Sequence, residues 1–246
     1  LKVINLVIHN PLTIMTKTQF KASISGDIVS FTSLSIEGRE LLEQRLKDLV
    51  TLLDKQFSVF ARVIKGDYLE GYLPQPGQAL RVALLVKYYI KAASDKIASG
   101  RKEAGLFRTY GIRLAIGIGE ISRFDPVKGI IDGEAIYLSG RIINSQPGTH
   151  GKNAIVKSTF FIVSSQQNIE DEFGPVLALL DVLIAKSTAR QCEVIYLKLL
   201  GHNEEEISQT LGITQATVNQ HSRSGGWNAV QKAVDRFSIA IKQLEI

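Results

Sequence analysis

Asp27 and Asp67 are the residues of this sequence best placed to do chemistry. Asp27 closes the stretch FKASISGDI, where strand-like alternation ends in a Gly-Asp step. Asp67 sits in Lys65-Gly66-Asp67, between two runs of β-branched and aromatic residues. If the strands are neighbours, the two carboxylates meet at one end of a sheet and repel each other unless a cation sits between them. Such a pair suits one or two Mg²⁺ or Mn²⁺ ions that also hold the phosphates of a nucleotide. The plainer alternative is that Asp27 caps the next turn and Asp67 fills a hairpin turn, where Asp is common; on spacing alone it is the better supported. The other candidates for chemistry are weaker. One cysteine, Cys192, cannot form an internal disulfide, and with four scattered histidines it makes no zinc spacing. Its apolar helical neighbours predict a buried structural thiol.

The elements that must position these residues read as follows. GRELLEQRLKDLVTLLDKQF places Leu42, Leu46, Leu49 and Leu53 on one face of a helix. FSVFARVIKGDYLEGYLP is a hairpin turning at 65–67, and QALRVALLVKYYIKAASDKIASG is one buried helix closed by Gly100. YGIRLAIGIGEISRF is a strand, DGEAIYLSGRIINS a short helix and NAIVKSTFFIVS another strand. Strand, helix, hairpin, helix, strand, helix, strand is an α+β order, a sheet with helices packed on it.

Beyond about residue 170 the pattern is wholly helical. DEFGPVLALLDVLIAKS carries the stripe Val176, Leu177, Leu180, Val182 and Leu183, which suits either a dimer contact or packing onto its own domain. GHNEEEISQTLGITQATVNQH has the layout of a helix-turn-helix. Asn203 and Glu206 form a capping box, Ile207 and Leu211 an apolar stripe, Gly212 the turn and Thr214 the second cap, with Val218 inward. The division expected is an N-terminal extension 1–19, an α+β domain 20–168 and an all-α helix-turn-helix domain 169–246. If the second helix enters a major groove, Thr214, Gln215, Thr217, Asn219 and Gln220 reach base edges and Arg223 reaches phosphate. The same motif also serves as a protein-interaction module. That alternative has weight, because residues 186–246 hold seven Lys/Arg against six Asp/Glu, and Glu204, Glu205 and Glu206 cluster on the first helix.

With 246 residues, 45% hydrophobic and 22% charged, the chain can bury a substantial core, and a net charge of +5 permits anionic partners without demanding them. No apolar run reaches the roughly 18 residues that cross a bilayer, and the start lacks a basic region followed by a cleavage site, so a cytoplasmic protein is expected. The chain opens on Leu and its only methionine is Met15; residues 1–14 are either native or a mis-assigned start.

DIVSFTSLS, residues 27–35, resembles the first metal-binding motif of class III nucleotide cyclases, Asp-Ile-Val-Gly-Phe-Thr followed by a Leu and a Ser. Lys65-Gly66-Asp67 resembles their second motif, a Gly-Asp in a hairpin. RLAIGIGEI, 113–121, is similar to the family strand Arg-Ile-Gly-Ile-His-Thr-Gly, and GEAIYLSGRI, 133–142, to the helix carrying the catalytic Asn and Arg. The resemblance implies a ferredoxin-like, nucleotide cyclase-like sheet, Asp27 and Asp67 as metal ligands for Mg²⁺ or Mn²⁺, and Arg141 as the catalytic arginine. It also implies a homodimer with the cleft at its interface. Three roles depart from the pattern: Tyr137 replaces the catalytic Asn, Val63 the purine-selecting Lys and Ile130 its Asp partner. Across both halves the chain is similar to the SatD family, in its early Gly-Asp-Ile, Gly66-Asp67 followed by Gly71, Ile116 to Glu120, Asp132-Gly133, the helix-turn-helix and the ending SRSGGWNAV. Together these imply a bacterial transcription regulator whose degenerate cyclase-like domain senses a nucleotide or dimerises and whose tail binds DNA. The competing expectation is an active metal-dependent nucleotide cyclase.

Overall fold

The computed structural model describes residues 20–145 and 156–244; the extension 1–19 and the expected strand start at 153–155 lie outside them. In chain order the elements are β1 (Lys21–Ile28), α1 (Ile36–Phe57), β2 (Phe60–Ile64), β3 (Tyr68–Leu73), α2 (Ala79–Ala92), α3 (Ser94–Ile97), α4 (Gly105–Tyr110), β4 (Ile112–Gly119), β5 (Arg123–Asp125) and β6 (Ile130–Asp132). Then come α5 (Glu134–Ser145), β7 (Phe160–Ser164), α6 (Gln167–Lys186), α7 (Ala189–Leu200), α8 (Glu204–Leu211), α9 (Gln215–Ser224) and α10 (Trp227–Leu244). The main sheet has the order β2-β3-β1-β4-β7, antiparallel except for β4 beside β7, and β5 and β6 form a separate ribbon. The architecture is mixed α+β.

Strand alternation divides the sheet into two faces. Ala22, Ile24 and Ile28 of β1 are buried in one core with Leu42, Leu46, Leu49 and Leu53 of α1 and the apolar length of α2. Ser23, Ser25 and Asp27 fall on the opposite face, where α5 lies. Ser23 donates to the Ala135 carbonyl at 2.7 Å, and Ser139 lies 2.9 Å from Ser23 and 2.8 Å from Ser25 through their hydroxyls. Gly117 allows this close approach, because a Cβ there would overlap the Ala135 carbonyl oxygen.

The single helix expected over 78–100 is broken: α2 stops at Ala92 and the chain turns through α3. The reason is tertiary, since the Ile97 carbonyl rests where Gly38 of α1 leaves no Cβ in its way. Helices α6, α7 and α10 contribute Phe173, Leu177, Ile195, Leu199, Val230, Phe237 and Ile241 to the same core as the sheet, while Val194, Leu197, Ile207 and Val218 make a small second cluster among α7, α8 and α9. Of the α6 stripe, Leu177 and Leu180 are buried in that core, whereas Val182 is exposed beside an exposed Leu179. No helix among the described residues is long and apolar enough to cross a membrane.

Candidate nucleotide and metal site

The end of β1 is the meeting point of three segments. Asp27 pairs across to Tyr68 of β3 and to Arg113 of β4. The next residue, Ile28, donates its N–H to the Asp67 carbonyl at 2.9 Å, and Val29 donates to the Gly111 carbonyl at 3.0 Å. The three-residue connection 65–67 that carries Asp67 turns tightly because Lys65 (φ 53°) and Gly66 (φ 87°) are both left-handed. The strand end and the turn that sequence spacing could only suggest as neighbours are therefore hydrogen-bonded to each other.

Asp27 is about a third exposed, with Arg113 Nε 3.7 Å from its Oδ1. Arg113 is almost fully buried, so its charge is poorly screened where it meets the Asp27 carboxylate. Past Asp27, Ser30 stands where the cyclase motif has glycine and adopts the left-handed backbone itself (φ 53°, ψ 38°). The donor set at this edge is oxygen only. Among the described residues no group of three or more His, Cys, Asp or Glu is arranged to hold a metal ion. Two carboxylates without further protein ligands fit Mg²⁺ or Mn²⁺, which keep waters and complete their shells with substrate phosphates.

Arg141 is placed elsewhere. It lines an open concavity of about 750 Å³ with Phe20, Glu120, Tyr137, Ser165 and Gln166. Phe20 and Glu120 flank the paired Lys21 and Gly119, but α5 itself runs toward the Asp27 end of the sheet: Ser139 meets Ser25, and a Cβ at Gly140 would lie 3.6 Å from the hydroxyl of Tyr68, the cross-strand partner of Asp27. Within one chain, then, the backbones of Asp27 and Asp67 come together, and Arg141 lines a concavity on the α5 side of the sheet. Tyr137 is exposed and its hydroxyl donates to Asp132 Oδ1 at 2.5 Å; that bond and the carboxylate charge raise the phenol above its ordinary value. Val63 packs against the core side of the sheet and is turned away from the Asp27 face, whereas neighbouring Arg62 is on that face and binds Glu70 and the Gly129 carbonyl. Ile130, next to Gly129, opens β6.

On α9, Thr214 caps the helix by accepting from Thr217 N–H at 3.2 Å, and the Thr217 hydroxyl lies 2.9 Å from that of Thr214. Gln215, Asn219, Gln220 and Arg223 are exposed, and Asn219 donates to Glu204 Oε1 at 3.4 Å. Cys192 is buried, and burial pushes its thiol up to about 12 despite the opposing charge of Lys91.

Sequence reasoning missed Arg113 as the neighbour of Asp27 and missed the Ser23, Ser25, Ser139 cluster. The alternating serines were a visible signal, since small hydroxyls at every second strand position mark a face that a helix approaches closely.

No family model matches this chain, and no curated protein matches it. Among solved structures it is similar to a bacterial light-regulated adenylyl cyclase, at 18% identity over 62% of this chain and 45% of that one, with a TM-score of 0.39. A second structure described in the same words gives 18%, 62%, 45% and 0.40. The guanylyl cyclase Cya2 gives 16% identity over 52% of this chain and 71% of that one, with a TM-score of 0.37. The chain spans less than half the length of the light-regulated cyclases, and a likeness this loose carries no residue roles across.

Proposed function

We propose that this chain is a nucleotide-responsive bacterial regulator of the SatD type, in which a cyclase-like module binds a nucleoside triphosphate with Mg²⁺ or Mn²⁺ and the tail reads DNA through α9. The observation that supports the nucleotide half is the Ile28 N–H to Asp67 carbonyl bond, which joins the backbone of the Asp67 turn to the end of the strand that carries Asp27. Asp27 and Asp67 hold the cation, and the cation supplies charge for the phosphates. In a homodimer, Arg141 of a second copy approaches that end of the sheet. Binding without rapid turnover is the expected behaviour, because Tyr137 spends its hydroxyl on Asp132 and offers no amide, and losing one transition-state donor typically costs about 10²–10³ in rate.

The DNA half rests on α9, a capped helix whose polar residues Gln215, Asn219, Gln220 and Arg223 are exposed. Calorimetry with the four nucleoside triphosphates and Mn²⁺ tests the first half; binding of at least one, abolished by Asp27→Asn, is expected, and no binding by any overturns it. Cyclic product from any triphosphate would favour the active cyclase instead. For the second half, salt-sensitive retardation of promoter DNA should vanish when Gln215 and Asn219 become Ala.

A further inference from the structure

A second cavity lies away from the Asp27 edge, in the angle between α2, the end of α7 and α10. It holds about 370 Å³ and is lined by Arg81, Lys198, His202, Trp227, Gln231 and Asp235, among others. Its chemistry is specific. Arg81 is fixed by its Nε–H, which donates to the Leu199 carbonyl at 2.7 Å, so the guanidinium is held at the cavity wall. Lys198 Nζ lies 5.7 Å from the centroid of the Trp227 ring, and the Lys198 side chain is only 11% exposed. Two cations thus converge beside a half-buried indole, with the Gln231 amide able both to donate and to accept.

We propose that this cavity binds a mononucleotide-type ligand, with its phosphate on Arg81 and Lys198 and its base against Trp227. The volume falls within the range of small-molecule pockets. A phosphate suits paired cations of low exposure, and an aromatic base suits an indole face. Ordinary water would leave that face poorly used.

The same lysine gives the cavity an output. Lys198 Nζ is 3.2 Å from Glu204 Oε1, the oxygen that also accepts from Asn219 of α9. A phosphate that takes up the Lys198 ammonium competes with Glu204 and so alters what holds Asn219. This coupling rests on the reading of α9 as the DNA-reading helix; the binding site itself does not.

Trp227 is the only tryptophan in the chain, so its fluorescence reports the site directly, with no dependence on DNA. Titration of the full chain with AMP should give saturable quenching. Lys198→Gln and Arg81→Gln should each weaken it about tenfold, as loss of a charged hydrogen-bond donor does. Asp235→Asn should strengthen it about threefold by removing a like charge from the cavity wall. That gain cannot come from misfolding. Absence of saturable quenching, or wild-type titration by both Lys198→Gln and Asp235→Asn, overturns the site. Quenching by inorganic phosphate as strong as that by AMP overturns the placement of a base on Trp227. If AMP binds but leaves DNA retardation unchanged, the coupling through Glu204 falls while the site stands; if DNA is not retarded at all, the reading of α9 fails independently.

Discussion

Asp27 illustrates how a residue's role depends on what lies beside it. A carboxylate at the end of a strand is an ordinary feature; one with a buried guanidinium 3.7 Å away and a second aspartate's turn hydrogen-bonded to the next residue is tied to three segments at once. Replacing Arg113 by Met should therefore weaken rather than strengthen cation-dependent nucleotide binding, because Asp27 loses the partner that orients it; calorimetry with Mn²⁺ checks this. Two other residues make predictions of their own. The Cys192 thiol, buried and pushed up to about 12, should resist alkylation at pH 8 in the native protein and react only on unfolding, which mass spectrometry would read. Gly117→Ala should cost about 3 kcal/mol in chemical denaturation, since the new Cβ meets backbone, the Ala135 carbonyl, and cannot be accommodated by rotating a side chain.

At the scale of elements, a buried polar network joins α2, β4, β7 and α6. Lys87, fully buried, donates to the Ile112 and Thr159 carbonyls at 3.0 and 3.1 Å and to the Thr159 hydroxyl at 2.9 Å, and it sits 3.2 Å from Asp181. Asp181 accepts from Thr159 N–H at 2.6 Å and from its hydroxyl at 2.5 Å. Burial pushes the Asp181 carboxyl up, but the Lys87 charge and the Thr159 bonds outweigh it and hold the group below its ordinary value. Burial likewise pulls the Lys87 ammonium down. A carboxylate depressed in the folded state contributes stability that is full above its unfolded value, about 4, and is lost as pH falls through the folded one. Melting curves should therefore show a loss below about pH 4 that is absent in Asp181→Asn. That variant should also be less stable at neutral pH by about 3–5 kcal/mol, because it strands Lys87. The cost at Thr214→Ala, an exposed cap, should be only about 1 kcal/mol.

For the whole molecule, the proposed meeting of Asp27 with Arg141 of a second copy has an assembly consequence. A site shared in that way needs two copies, so nucleotide with Mn²⁺ should tighten self-association, and sedimentation velocity should show a shift toward dimer that Arg141→Ala reduces. The exposed pair Leu179 and Val182 on α6 lies outside the shared core and is free to take part in such a contact. Helices α6, α7 and α10 bury their apolar faces in the same core as the sheet. Val218 of α9 packs instead in the smaller cluster with Val194 and Leu197 of α7.

Much of this was readable in the residues themselves. Leu42, Leu46, Leu49 and Leu53 announced α1 by helical spacing, Lys65-Gly66 announced the hairpin turn, and Asn203, Glu206 and Gly212 announced the ends of α8, because capping and left-handed turns depend on groups a few residues apart. Whatever depends on long-range register was not readable. Nothing local says that Ile28 bonds to the Asp67 backbone, that Arg113 pairs with Asp27, or that Val63 turns its back on that face; sheet order and pairing decide these together, and a one-residue slip would reverse every side chain. The break after Ala92 and the concavity that Arg141 shares with Phe20 and Glu120 belong to the same class. Helix spacing sets which face of α2 or α5 is apolar, but only packing against α1 and the sheet decides where each helix stops and toward which end of the sheet it presents its charged residue.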